Sequence, residues 1–241
     1  MVRELKEALH EGLKNPNTEN KIEVIDGPHR PYFVHIGSLT DKVLKELKPL
    51  HEKWANVTLV PSIAYGLRAY RDGSSLYMHV DKSSSHVISC ILHVDHSEDS
   101  EPWPIVIEDF EGNTNEVHLE SGDMLFYESS KCFHGRPRKF VGSWYSSIFV
   151  HYSTLDFQKS GVDRSAESHY AVPEHWHKTI NNFEDRLQVV GTSLKEPDCE
   201  HNWCTLKNSR KWYGPAPMDG SVISGNDWEE HQSQRLVESE L

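Results

Sequence analysis

The sequence predicts an all-β core supported by N-terminal helices, which makes the chain α+β overall. From residue 57 onward, short runs rich in β-branched and aromatic residues follow one another with no helical pattern between them. Turn signals such as Asp72-Gly73 and Ser121-Gly122-Asp123 separate these runs. Short strands at this spacing indicate an antiparallel sandwich or barrel.

Two amphipathic helices are predicted before the strands. Residues 3–14 place Leu5, Leu9 and Leu13 on one stripe, and residues 40–54 form a second helix that Thr40 would cap. We expect Pro49 to kink this second helix or to end it early. Residues 15–31 are predicted to be loop with one short strand at 21–25.

The strand pattern defines three parts of the chain. Residues 1–56 form an N-terminal helical support, 57–152 the β core, and 153–241 a C-terminal extension that is partly helical near 174–188 and otherwise loop-rich. Within the core, the expected strands are at 57–71, 75–80, 86–95, 104–109, 115–119, 123–127 and 143–152.

Composition restricts the possible functions. The 241 residues include 25 Lys and Arg against 37 Asp and Glu, so the net charge of −12 argues against a dedicated binder of nucleic acid or anionic membranes. No apolar run approaches the roughly 18 residues of a membrane span, and the charged N-terminus lacks the apolar stretch of a secretory signal. The four scattered cysteines suit reduced thiols, so a cytoplasmic location is expected.

The segment that carries chemistry is His79-Val80-Asp81, because residues two apart on a strand face the same side. A distant histidine would complete a set of two histidines and one carboxylate, which leaves three positions open on one side of an iron(II) ion. The best candidate is His134, which lies 53 residues after Asp81 and follows the strand at 123–127.

Three other segments compete as metal sites. His93-Val94-Asp95 repeats the tripeptide, with His96 beside it, but it sits at the end of the next strand. His175 and His177 diverge if that segment is helical. The segment from Cys199 to Cys204 resembles half a zinc site, and no second pair completes its four ligands.

Residues 60–152 resemble the iron(II)/2-oxoglutarate dioxygenases, closest to the prolyl 4-hydroxylase-like branch. The resemblance rests on Arg68-x-Tyr70-x-x-Gly73-x-x-Leu76-x-x-His79-x-Asp81, then Ile91-Leu92-His93-Val94, Gly122-Asp123-Met124-Leu125-Phe126, His134 and Gly142.

The resemblance implies a double-stranded β-helix, or jelly roll, that holds iron at one open end through His79, Asp81 and His134. 2-Oxoglutarate would chelate two of the open positions and O2 would take the third, and ascorbate is a further candidate cofactor. An Asp at position 81 matches hydroxylases rather than halogenating relatives, which have a small residue there.

One departure concerns the cation that binds the distal carboxylate of 2-oxoglutarate. The family places Arg or Lys nine or ten residues after the distal histidine, where this sequence has Ser143 and Trp144. We expect Arg136 to replace it, since Arg binds carboxylates through two parallel hydrogen bonds. The expected supporting residues are His93, Ser146, Tyr70 and Tyr77, with Arg138 as the neighbouring alternative cation.

The resemblance implies an oxidoreductase that hydroxylates a C–H bond and releases succinate and CO2. Its substrate would be a peptide or a small molecule, with a peptidyl proline or another amino-acid-type group as the target. A cupin-like binding module or pseudoenzyme without 2-oxoglutarate binding is the alternative that the uncharged Ser143 and Trp144 keep open. A zinc-dependent hydrolase on a similar barrel is a third, although no separate general base accompanies the three ligands.

Overall fold

The computed structural model describes residues 1–155, except for 23, 82–84 and 112. Two helices, α1 (Val2–Gly12) and α2 (Leu39–Ala55), accompany eleven strands in this part of the chain. The strands are β1 (Asn17–Thr18), β2 (Ile25–Asp26), β3 (Tyr32–Phe33), β4 (Leu59–Arg71), β5 (Ser75–His79), β6 (Ile88–His96), β7 (Ile105–Glu108), β8 (Thr114–Val117), β9 (Met124–Tyr127), β10 (His134–Arg136) and β11 (Trp144–Thr154).

The strands form two antiparallel sheets. One sheet has the order β1-β3-β4-β11-β6-β9 and the other β2-β5-β10-β7-β8. Most connections from β4 to β11 cross from one sheet to the other, which is the winding of a jelly roll. The predicted fold class is therefore confirmed.

Both helices pack their apolar stripes on the six-stranded sheet. Leu5 and Leu9 of α1 and Val43 and Leu47 of α2 are buried in one cluster with residues of β4, β6 and β11. A second cluster of mostly aromatic side chains draws on both sheets and fills the barrel; it includes Tyr70, Trp103, Phe140, Tyr145 and Phe149.

The N-terminal segment departs from the prediction of a loop with one strand at 21–25. Its three strands have two residues each, and they extend both sheets: Tyr32 pairs with Ala69, and Ile25 pairs with Leu76. Two-residue strands such as these, and the three-residue β10, are too short to produce a readable alternation of apolar residues.

The second helix has its predicted bounds to within one residue, but Pro49 does not end it early. Pro49 lies inside α2 without ending it, and the helix stops instead at Asn56, whose φ of 54° is the left-handed conformation of a helix C-terminus. Neither described helix is long and apolar enough to span a membrane. The helical piece expected at 174–188, and the clusters at 175–177 and 199–204, lie outside the described residues.

Strands β5 and β10 approach each other closely at Gly135. A Cβ added to Gly135 would lie 2.7 Å from the Leu76 carbonyl oxygen and 2.8 Å from that of Tyr77, both rigid backbone atoms. We expect Gly135→Ala to push the two strands apart and to destabilise the protein by about 1–3 kcal/mol, as overpacking does. Urea unfolding measures this change.

The matched control is Gly37→Asn, at a site with φ of 52° and no atom within 4 Å of an added Cβ. Asn tolerates this backbone conformation, so we expect little change in stability. Equal stability of Gly135→Ala and the unmodified protein would contradict the close packing of β5 on β10.

Candidate metal centre

The pairing of β5 with β10 brings the two predicted histidines opposite one another. His79 is the last residue of β5 and His134 the first of β10, and the two are register partners. Asp81 follows β5 by two residues, and its backbone N–H donates to the Ser129 carbonyl at 2.8 Å. One ligand atom from each of the three residues lies within 4.8 Å of the others.

The distances from the Asp81 carboxylate place each imidazole within reach of an ion that this carboxylate binds. Nε2 of His79 is 3.6 Å from Oδ1 of Asp81, and Nε2 of His134 is 3.9 Å from Oδ2 of the same carboxylate. Two atoms bound to one metal at about 2.1 Å each can be up to about 4.2 Å apart. Both separations fall within that limit.

Hydrogen bonds to the backbone fix the tautomer of both imidazoles. Nδ1 of His79 lies 2.7 Å from the Tyr77 carbonyl oxygen, and Nδ1 of His134 lies 2.8 Å from that of Cys132. A carbonyl only accepts, so each Nδ1 carries the proton. Each Nε2 then presents a lone pair to the site, as a metal-ligating histidine requires.

Burial keeps both imidazoles neutral. It lowers the pKa of His79 to about 4, with the neighbouring His134 as the next cause, and it lowers the pKa of His134 to about 4 as well. At neutral pH no proton competes for Nε2, which prepares the pair for a cation.

The three side chains line a cavity of about 330 Å³. Most of the remaining wall is aromatic or apolar, with Tyr65, Tyr70, Tyr127 and Phe149 among the lining residues. A cavity of this size, with few polar groups converging at one place, is typical of a site for a small molecule.

A second histidine pair lies beside Asp81 and was not predicted. Nδ1 of His151 is 2.7 Å from Oγ of Ser89 and 3.9 Å from Oδ2 of Asp81, and its ring centroid is 3.9 Å from that of His86. Burial lowers the pKa of His151 well below its usual value. The alternation along β11, which turns Phe149 and His151 to the same side, is the signal that could have identified it.

The structure brings only one of the five predicted cosubstrate residues to the cavity wall, namely Tyr70. His93 lies elsewhere in the interior, with its ring nitrogens 2.9 Å from the Ser146 carbonyl oxygen and 2.9 Å from Nδ1 of His96. Burial, and then the charge of Arg136, lowers the pKa of His93 to about 3, so this side chain is neutral and adds no charge. Tyr77 and Ser146 are buried outside the wall.

Arg136 is buried outside the cavity wall as well. Its guanidinium donates to the Trp103 carbonyl and, at 3.3 Å, to the Tyr145 hydroxyl. It lies 4.7 Å from the ring centroid of Trp103 and 4.6 Å from that of Tyr145. The two rings enclose the cation, and its expected role in binding a carboxylate stays a prediction.

Arg68 of β4 lines the cavity, a position that was not predicted from the sequence. It is 5% exposed, lines the cavity and forms a bidentate ion pair with Glu19, with N–O distances of 2.7 and 2.8 Å. The sequence contained a signal, because Arg68 is two residues before Tyr70 on the same strand face.

The side chains of the competing His93-Val94-Asp95 segment do not point to a common site that could hold a metal. The Asp95 carboxylate pairs with α1, 2.8 Å from Nε2 of His10 and 3.6 Å from Nζ of Lys6. The two ring nitrogens of His93 contact the Ser146 carbonyl oxygen and Nδ1 of His96. Within the described residues, the one group of side chains that could hold an ion is His79, Asp81 and His134.

Solved structures with a similar chain path include several oxygenases. A prolyl-4-hydroxylase from Pseudomonas putida is 12% identical, with a TM-score of 0.48 over 64% of this chain and 88% of that one. A prolyl hydroxylase from Trichoplax adhaerens, in complex with a hypoxia inducible factor oxygen degradation domain peptide fragment, is 12% identical with a TM-score of 0.49 over 69% and 81%.

HygX from Streptomyces hygroscopicus, with nickel and 2-oxoglutarate bound, is 14% identical with a TM-score of 0.44 over 64% of this chain and 80% of that one. No protein-family model matches the chain, and no curated protein matches it in sequence. Likeness at this level carries no argument about activity, so the function has to be inferred from the site itself.

The geometry predicts which side chains bind the metal. We expect His79→Ala, Asp81→Ala and His134→Ala each to weaken Fe(II) binding by at least about 100-fold, because the loss of a ligand exceeds the 10- to 100-fold effect of outer partners. Anaerobic calorimetric titration with Fe(II) measures the affinity. The exposed His118→Ala variant is the matched control.

The same titration on His93→Ala tests the competing segment. Because His93 is directed to Ser146 and His96, we expect this variant to bind Fe(II) like the unmodified protein. Loss of the metal in His93→Ala, with retention in His79→Ala, would show that the other tripeptide is the site.

Proposed function

We propose that this protein is an iron(II)- and 2-oxoglutarate-dependent oxygenase that hydroxylates a C–H bond. The observation that carries the proposal is the orientation of two neutral imidazoles and one carboxylate into a single cavity, with both Nε2 atoms left unprotonated by the bonds at Nδ1. Two histidines and one carboxylate on one side of an iron(II) ion are the ligand set of non-haem oxygenases.

The residues present fit such an ion. His79, Asp81 and His134 would hold it, and one carboxylate with two neutral imidazoles leaves a net positive charge that attracts an anionic cosubstrate. An iron(II) ion held by these residues would supply the activation of O2 that is coupled to decarboxylation of a 2-oxo acid. The aromatic wall would limit the access of water.

The Tyr77 and Cys132 carbonyls have a supporting role in this proposal. Each accepts a hydrogen bond from the Nδ1 of a ligand and so fixes the plane of the imidazole ring. Outer hydrogen bonds of this kind tune metal affinity and are part of most metal sites. Because both acceptors are backbone atoms, the orientation depends on the fold rather than on another side chain.

The finer part of the proposal concerns the substrate and the products. We propose a peptidyl proline or another amino-acid-type group as the target, with succinate and CO2 as products and ascorbate as an auxiliary reductant. The support for this choice is the motif from Arg68 to Asp81, together with His134 and Gly142. A fold does not determine a substrate, so this choice has to be tested with candidate peptides and small molecules.

We also propose a cytoplasmic location. Both described cysteines, Cys90 and Cys132, are buried free thiols. Burial raises the pKa of Cys132 to about 12, so this thiol is unreactive and suits a reducing compartment.

An anaerobic titration tests the proposed activity. Chelation of iron(II) by a 2-oxo acid gives a weak charge-transfer band in the visible spectrum, and we expect this band when Fe(II) and 2-oxoglutarate are both present. His79→Ala is the control in which the band should be absent. Iron binding without any band would favour the alternative, a cupin-like binding module or pseudoenzyme.

A further inference from the structure

The described part of the cavity wall contains a single guanidinium and no lysine. We propose that Arg68, with the Tyr70 hydroxyl beside it, binds the distal carboxylate of the 2-oxo acid. This assignment rests on the proposed function, and it replaces Arg136 with a residue from the first long strand of the barrel.

The ion pair with Glu19 occupies only one edge of the Arg68 guanidinium. Glu19 accepts from Nε and Nη2, which is the side edge of the planar fork. Nη1 faces the Tyr70 hydroxyl at 3.5 Å, the outer limit of a hydrogen bond. A guanidinium has five N–H donors, so its Nη1 and Nη2 end can still donate to a second carboxylate.

Glu19 and Arg68 also differ in their relation to the cavity. Arg68 and Tyr70 line it, and Glu19 does not. Glu19 thus binds the guanidinium from outside the cavity wall and balances its charge. This ion pair lowers the cost of burying the cation when no ligand is bound. The end of the fork near Tyr70 is the part that a ligand in the cavity would meet.

Aromatic rings fix the position of this cation. The Arg68 guanidinium carbon lies 5.0 Å from the ring centroid of Phe149, 5.5 Å from that of Tyr65 and 5.8 Å from that of Tyr70. All three rings line the cavity. They exclude water from the guanidinium, and a charge-assisted hydrogen bond is stronger in such surroundings.

Arg68 and the candidate metal ligands line the same cavity. Arg68, His79, Asp81 and His134 all line the one cavity of about 330 Å³. One small dicarboxylate could therefore reach the metal with its 2-oxo acid end and Arg68 with the other. Arg136 would first have to leave the Trp103 carbonyl and the Tyr145 hydroxyl, and the rings that enclose it, before it could enter the cavity.

The test compares two 2-oxo acids on the full-length protein loaded with Fe(II) under anaerobic conditions. 2-Oxobutyrate has the same chelating end as 2-oxoglutarate and lacks the distal carboxylate. The charge-transfer band gives the dissociation constant of each. We expect the unmodified protein to prefer 2-oxoglutarate by about 30-fold or more, the size of a charge-assisted carboxylate contact of about 2 kcal/mol.

Arg68→Met should abolish this preference. We expect its affinity for 2-oxoglutarate to fall about 30-fold, to the level of 2-oxobutyrate, whose own binding should be unchanged. The matched control is Arg71→Met, on the same strand but outside the cavity, where the guanidinium lies 4.5 Å from the ring centroid of Tyr32. Arg71→Met should keep the full preference.

A second variant covers the case in which Arg68→Met fails to fold because Glu19 is left buried without its partner. Arg68→Met/Glu19→Gln removes both charges together, and its Fe(II) titration reports whether the metal site is intact. This variant too should bind the two acids equally.

The outcomes separate the inference from the proposed function. If both Arg68 variants keep the preference, or if Arg136→Met alone loses it, the assignment to Arg68 is wrong and the proposed function stands. If the unmodified protein gives no band with either acid, the proposed function is wrong, and this inference is wrong with it.

Discussion

The pairing of β5 with β10 is the constraint on which the rest of the site depends. Both strands are short, and their register sets His79 opposite His134. Each histidine forms the same local hydrogen bond, in which its Nδ1 donates to the carbonyl of the residue two positions earlier. Ring orientation therefore follows from strand geometry, and Gly135 is the residue that allows the strands to approach this closely.

The distribution of charge around the cavity follows from the cost of burial. Burial disfavours a cationic imidazole, and it holds His79, His134 and His151 in the neutral form. The guanidinium of Arg68 remains charged and has Glu19 as its partner. The cavity can thus present neutral nitrogen ligands at one place and a positive charge at another, which is the pattern that a metal-chelating dicarboxylate requires.

Much of the fold could be predicted from the sequence, because long elements have a readable period. Helix α2 and strands such as β6 and β11 agree with their predictions to within about two residues. Strands of two or three residues carry no period, so the N-terminal pairing and β10 were missed. The alternation of side chains along a strand predicted that His79 and Asp81 face the same side. The family motif indicated His134 as the third candidate ligand.

The residues that line the cavity were harder to predict, for a physical reason. Arg136 was chosen because it follows His134 closely, and alternation does turn it inward, but the packing of Trp103 and Tyr145 around it is a long-range contact without a local signal. Arg68 lies on the same side of β4 as Tyr70, and its place in the cavity depends on Glu19 and Phe149, which are distant in sequence.

X-ray absorption spectroscopy of the Fe(II) form tests the central claim most directly, because it counts the imidazoles bound to the metal. The arrangement of His79, Asp81 and His134 predicts two imidazoles, with oxygen ligands in the other positions. Three or more imidazoles would contradict the account and would assign to the metal His151, which lies 3.9 Å from Asp81, or His86, whose ring lies against that of His151.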